Sequence, residues 1–224
     1  MSSTYQVHSL KVGNRHIINN IYLIVDQVTR QAAVVDPAWE MSKIAGLIDS
    51  LEVDLTTILL THSHDDHVNL VEPLVRRYNP QVYMSRQEIE YYRFTCSSLH
   101  ALDDFSTIHL GMTSITCLLT PGHTAGSACY LLSDSLFAGD TIFIEGCGVC
   151  DSLGGDPEAM YESVQKVKTW VRPSVHVYPG HSFGRQPGRP MSELLQHNVY
   201  FHLDKKEQFV KFRMRHQQRQ WSFQ

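Results

Sequence analysis

Thr57-Ile-Leu-Leu-Thr61-His62-Ser63-His64-Asp65-Asp66-His67 joins a short apolar run to three imidazoles and two carboxylates. The run reads as a buried strand that stops at His62. Side chains two apart in extended backbone point the same way, so His62 and His64 can face one metal ion. Val68, Val71, Leu74 and Val75 then mark the inner face of a helix that closes at Asn79-Pro80. The turn into that helix lets Asp66 and His67 face a second ion. Neutral imidazole with carboxylate suits zinc, and also iron or manganese. A polar loop that merely happens to be histidine-rich would explain neither the residue types nor their spacing.

Six residues cannot close two metal sites, so distant ligands are required. His123 and His181 lie in Pro121-Gly122-His123 and Pro179-Gly180-His181, each at the end of an apolar strand. Asp140 ends Phe137-Ala138-Gly139-Asp140, and its preceding glycine permits a close backbone approach. Singly, each could be an ordinary turn residue; together they supply the missing ligands. The two Pro-Gly-His turns share one plan, which would fit two related halves but is too short to establish them.

Outward from this frame, strand and helix signals alternate. Ile17–Val25 and Ala32–Val35 are rich in β-branched residues, and Ile44, Leu47, Ile48 and Leu51 recur at helical spacing. Gln81–Met84 reads as a strand and Arg86–Phe94 as a helix. Ser114–Leu119, Ala128–Leu132, Leu136–Ala138 and Val175–Tyr178 are further strand candidates. Asp156-Pro157 opens a helix with Asp at its cap and Pro at its first position. The stretch from about 191 to 224 reads as one or two amphipathic, basic helices. No low-complexity linker interrupts the chain, so residues 1–224 are expected to form a single domain.

Composition sets the outer bounds. With 42% hydrophobic and 19% charged residues, the chain can bury a sizeable core. No run approaches the ~20 apolar residues of a membrane span, and the N-terminus lacks a signal-peptide plan, so a cytoplasmic location is expected. The net charge of −4 argues against general nucleic-acid binding. It is unevenly spread, because from Ser182 onward eight basic residues (Arg185, Arg189, Lys205, Lys206, Lys211, Arg213, Arg215 and Arg219) face three acidic ones. Five cysteines in apolar segments do not make a secreted disulfide framework. Cys147-x-x-Cys150 has no second pair for a zinc knuckle and reads as small loop residues.

The ordered series His62-x-His64-x-Asp66-His67, Pro121-Gly-His123, Gly139-Asp140 and Pro179-Gly-His181 resembles the metallo-β-lactamase superfamily over about residues 15 to 185. The resemblance implies an α/β fold, a four-layer αββα sandwich with a dinuclear site at the rim between its sheets. It implies that His62, His64 and His123 hold one metal, that Asp66, His67 and His181 hold the other, and that Asp140 bridges them. The implied cofactor is two Zn2+ per subunit, with iron or manganese as alternatives. Two cations about 3.5–4 Å apart would activate water at neutral pH and polarise the carbonyl it attacks. Asp66 and Asp140 would then be the catalytic carboxylates, with Asp66 aiming the nucleophile. A thioester is an apt substrate because a thiol leaves more readily than an amine, and the metals would stand in for an oxyanion hole.

Thr141–Val149 and the run from Pro157 to Ser163 look like glyoxalase II-type thioester hydrolases. Those enzymes commonly carry a basic residue where this chain has Val149, and a longer helical C-terminal region; here 43 residues follow His181. The length, Glu145-Gly-Cys-Gly-Val-Cys-Asp151 and His181-Ser-Phe-Gly-Arg185 are similar to the zinc-dependent hydrolases of bacterial trans-acyltransferase polyketide clusters. That resemblance implies a metal-dependent thioester hydrolase that removes acyl groups from an acyl carrier protein. Carrier proteins are acidic, so the basic tail fits, with Arg185, Arg189 and His202 as candidate substrate contacts. Three other readings compete: a glutathione-thioester hydrolase, a mono-iron persulfide dioxygenase of the same fold, and a non-catalytic carrier-protein binder.

Overall fold

In the computed structural model, which describes residues 3–14 and 16–215, the strands pair into two six-stranded sheets. The first sheet holds β1 (Tyr5–Gly13), β2 (Ile18–Asp26) and β3 (Gln31–Val35) as an antiparallel meander. α1 (Met41–Leu51) then carries the chain across to β4 (Asp54–Leu59), which pairs parallel with β3. Two short helices, α2 (Asp65–Val68) and α3 (Val71–Tyr78), lead to the parallel β5 (Gln81–Ser85). α4 (Arg86–Tyr92) precedes β6 (Leu99–Leu102) at the sheet edge. The change from antiparallel to parallel follows from the helical crossovers, since parallel neighbours need a long connection.

The second sheet contains β7 (Thr107–Leu110), β8 (Thr113–Leu119), β9 (Ala128–Leu131) and β10 (Ser135–Gly139). α5 (Pro157–Trp170) crosses to β11 (His176–Pro179), which runs parallel to β10. β12 (Arg189–Pro190), α6 (Met191–His197), a 3-10 turn (Val199–His202) and α7 (Lys206–Arg213) complete the described chain.

Strand β2 shows how the layers are made. Tyr22 and Ile24 face the other sheet, in one cluster with Tyr130 and Phe137. Ile21, Leu23 and Val25 point the opposite way and pack with Ile44, Ile48 and Leu74 of α1 and α3. Both faces are dry, so the strand reads as a continuous apolar run rather than an alternation. On the far side, Met160, Val164, Val167, Met191, Leu194 and Phe209 of α5, α6 and α7 cover Leu118, Leu136 and Val177. Helices therefore flank two face-packed sheets, the expected αββα sandwich. As predicted, Asp156 caps α5 by accepting from the Glu158 and Ala159 amides, with Pro157 at the first helical position.

Two expectations change. The helix after His67 is broken, because the Leu70 amide donates to Pro37 O and the Asn69 side chain accepts from the Trp39 amide. These contacts tie the junction to the loop after β3 and divide one periodic stretch into α2 and α3. The Pro-Gly-His echo does not take one turn from each half, since both turns follow strands of the second sheet. The C-terminal expectation holds for α6 and α7, while Arg219 lies outside the described residues. Among the described residues, no helix is long and apolar enough to cross a membrane.

Candidate metal centre

All seven residues expected to hold metal converge at one rim of the sandwich. β4 stops before His62, and the loop to α2 carries His62 and His64; Asp66 and His67 stand in α2 itself. His123 comes from the turn after β8, Asp140 from the end of β10, and His181 from the turn after β11. Backbone pairing locks the rim: the Asn20 amide donates to Gly180 O at 2.7 Å, and the Tyr22 hydroxyl donates to Pro179 O at 2.6 Å. The two glycines here are structurally required. Gly139 has φ +48° and lies so close to Thr61 that a Cβ would sit 2.3 Å from its Oγ1. At Gly180, a Cβ would come within 2.5 Å of Asp140 Oδ1.

Two donor sets form. In one, a ligand atom from each of His62, His64 and His123 lies within 4.8 Å of the others; in the second, Asp66, His67 and His181 do the same. Within the first set, His64 Nδ1 stands 3.1 Å from His62 Nε2 and 3.0 Å from His123 Nε2. Asp140 lies between the sets: Oδ2 is 3.7 Å from His123 Nε2 and 3.4 Å from His181 Nε2, and Oδ1 is 3.6 Å from His67 Nε2. Asp66 Oδ2 is 3.3 Å from His181 Nε2.

The backs of the rings are held so that the correct nitrogen points inward. His123 Nδ1 donates to Val149 O and His181 Nδ1 to Ile18 O, both at 2.8 Å. His67 Nδ1 donates to Asp36 Oδ2 at 3.0 Å. Thr61 Oγ1 gives its own proton to Asp36 Oδ2, so it accepts from His62 Nδ1 at 3.0 Å. In four histidines Nδ1 is thus engaged at the back of the ring, so Nε2 is the nitrogen turned towards the centre, the orientation a metal ligand needs. A third grouping, Asp36 with His62 and His67, is wholly buried, but the Asp36 carboxylate is already occupied by Thr61 and His67.

Electrostatics point the same way. Burial, and then the neighbouring imidazoles, push His62 well below its ordinary value, which leaves it neutral. Burial opposes a charge on Asp140, yet His67, His181 and His123 outweigh it and hold the carboxyl at about 2. Asp66 is likewise held low against its burial, chiefly by His181 and His67. Burial opposes a proton on His181, but Asp140 and Asp66 overcome it and raise the imidazole to about 11. Without a cation, protons on histidine neutralise the two carboxylates, a task that metal ions take over on binding. One atom still lacks a hydrogen bond: Asp140 Oδ1 is buried with no hydrogen-bond partner, His67 Nε2 standing 3.6 Å away. A buried anionic oxygen left so is costly, and a cation is the partner that fits it.

Several functional residues gave no signal in the sequence. Asn19 donates to Asp66 O and Oδ2 and accepts from the Trp39 indole, which fixes the Asp66 carboxylate. Glu88 of α4 is completely buried and ties two metal-site loops together. Its Oε1 accepts from the Ser63 amide and hydroxyl, and its Oε2 from Thr124 Oγ1 and the Gly126 amide, all at 2.7–2.9 Å.

A cleft of about 470 Å³ opens onto the centre, lined by Asp66, His123, Asp140 and His181 at its base. Arg185, Arg189 and His202 are not among its lining residues. Both arginines pair with Glu193, and His202, exposed at the end of the 3-10 turn, contacts Gln196 O of α6. Phe201 is buried in the core behind the second sheet, Phe94 packs against the first, and Tyr91 lines other hollows. Cys147 and Cys150 are buried free thiols, raised to about 12 chiefly by burial, in keeping with small loop residues.

Comparison with known proteins places this arrangement. "Probable polyketide biosynthesis zinc-dependent hydrolase PksB" of Bacillus subtilis is 54% identical over 219 residues, covering 98% of this chain and 97% of that protein. The similarly named BaeB of Bacillus velezensis is 51% identical over the same shares. The crystal structure of ETHE1 from Myxococcus xanthus superposes with a TM-score of 0.82 at 27% identity, covering 92% of this chain and 89% of that one. The model of the metallo-beta-lactamase superfamily matches residues 15–181, a span that starts before β2 and ends on the last of the seven residues. The chain belongs to the metallo-beta-lactamase superfamily.

Proposed function

We propose that this protein is a dinuclear zinc hydrolase of acyl thioesters, acting on acyl groups carried by the phosphopantetheine arm of an acyl carrier protein. The observation that carries the proposal is the pair of three-residue donor sets with the partnerless oxygen of Asp140 between them. His62, His64 and His123 would hold one ion, Asp66, His67 and His181 the other, and Asp140 both. Bound there, divalent cations supply Lewis acidity for the scissile carbonyl and acidify water. The rest falls to the chain's own residues. Asp66, partly open to the cleft and braced by Asn19, accepts the proton of the attacking water and aims it through Oδ2. The thiolate departs without a dedicated general acid, because its conjugate acid is far stronger than that of an amine leaving group. Asp36 and the backbone acceptors Val149 O and Ile18 O keep the imidazoles in register throughout.

Support for the substrate is of a different kind. Relatives at 54% and 51% identity bear names that join zinc-dependent hydrolysis to polyketide biosynthesis. The end of α7 touches the loop that carries Val149, where Arg213 Nη1 donates to Cys147 O. Lys211 and Arg213 in the last turn of α7 give that end a positive charge, which would favour an acidic partner. A thiol-release assay comparing one acyl group on glutathione and on a phosphopantetheinylated carrier protein tests the reading. The carrier-bound thioester should be cleaved with at least tenfold higher kcat/KM, and a chelator should abolish turnover. Preference for the glutathione thioester would overturn the carrier assignment, and chelator-resistant turnover the metal mechanism.

A further inference from the structure

The base of the cleft is polar, but its mouth is not. Ile17 and Ile18 reach it from the β1–β2 turn, Phe143 and Val149 from the loop after β10, and Phe183 from the loop after β11. Four of these are exposed: Ile17 is 39% exposed, Ile18 64%, Phe183 69% and Val149 45%. Phe183 leans edge-on against Phe143, with ring centroids 4.9 Å apart, and Phe143 in turn stands 6.2 Å from His181. Three separate loops therefore bring apolar side chains to one opening, directly above the residues that do the chemistry. Scattered exposed apolar residues are ordinary, whereas a converging set at a cleft marks a contact surface.

Charge is arranged to match. No lysine or arginine stands among the described lining residues. The arginines that follow Phe183 are both engaged by Glu193. Glu145 adds a negative group beside the same loop, where its carboxylate accepts from the Arg185 amide and lies 3.3 Å from the Cβ position of Gly184. A hydrocarbon tail entering here would gain about fourfold in affinity per methylene buried. A terminal carboxylate would be desolvated against Ile18 and Phe183, with no described lysine or arginine among the lining residues to pair with it.

We propose that the cleft selects uncharged hydrocarbon acyl groups and rejects acyl groups that end in a carboxylate. This rests on the thioester-hydrolase reading, and a matched four-carbon pair separates the two. Butyryl and succinyl thioesters of the same phosphopantetheinylated carrier protein are compared on the zinc-loaded full chain. Butyryl should exceed succinyl by at least 100-fold in kcat/KM. The non-hydrolysable butyryl and succinyl amides of phosphopantetheine should show the same order of binding by calorimetry. Ile18→Lys and, separately, Phe183→Lys should each shrink the butyryl-to-succinyl ratio at least tenfold. Because the ratio is taken within each variant, a loss of folded protein does not affect it. Equal cleavage of the two thioesters, or an unchanged ratio in both folded variants, would overturn this inference and leave the thioester reading standing. Cleavage of neither would remove both.

Discussion

The Asp36 carboxylate uses both of its oxygens to hold other residues still. Oδ1 accepts from the Thr61 amide at 2.8 Å, and Oδ2 from Thr61 Oγ1 and His67 Nδ1. Through Thr61 it also orients His62, so one buried side chain positions a ligand from each donor set. Asp36→Asn keeps the shape but loses the charge, and it should weaken zinc binding by about 10–100-fold. Competition with a chromophoric chelator would read this, and wild-type affinity in a folded variant would take Asp36 out of the account. In the sequence, Asp36-Pro37 is legible only as the end of a strand. Its importance lies in contacts with residues 61 and 67, and no local spacing records them. The convergence of the seven candidate ligands was legible because their types and turn contexts are unusual in themselves. Asn19 and Glu88 were not, because a lone amide or carboxylate on a strand or helix has a commonplace reading.

At the level of elements, strands buried on both faces announced themselves through dense β-branched runs. β2 and β3 lie close to their expected limits, while β4 is displaced a few residues towards the N-terminus of the apolar run that marked it. β1, β6 and β7 went unread because mixed exposure dilutes their pattern, as with the alternating profile of β1 along an open edge. α4 was legible as a helix, but its role was not. Glu88 lets it link the loop after β4, in one sheet, to the turn between β8 and β9, in the other. Glu88→Ala would strand the half-buried Ser63 amide and the buried Gly126 amide without acceptors, a loss of about 3 kcal/mol. That should lower the Tm by roughly 10 °C for a chain of this size. Thermal melting with and without zinc checks it. A Tm within a few degrees of wild type would show that the two loops hold themselves in place.

Over the whole molecule, the sandwich brings ends of strands from both sheets to one rim, so candidate ligands spread from residue 62 to 181 meet within a few ångströms. The ligand order resembled the superfamily over about 15–185, and the superfamily model matches 15–181. The cleft mouth was not legible, since Ile18, Val149 and Phe183 come from loops whose convergence depends on the completed fold. Two donor sets with Asp140 between them would hold two ions. Metal analysis of the zinc-reconstituted full chain, run beside Asp140→Ala, tests it most directly. Two zinc ions per chain are predicted for the wild type, and for the variant fewer than one, with activity lost in parallel. A wild-type chain that saturates with a single iron, or an Asp140→Ala chain that keeps two zinc ions and full activity, would contradict it.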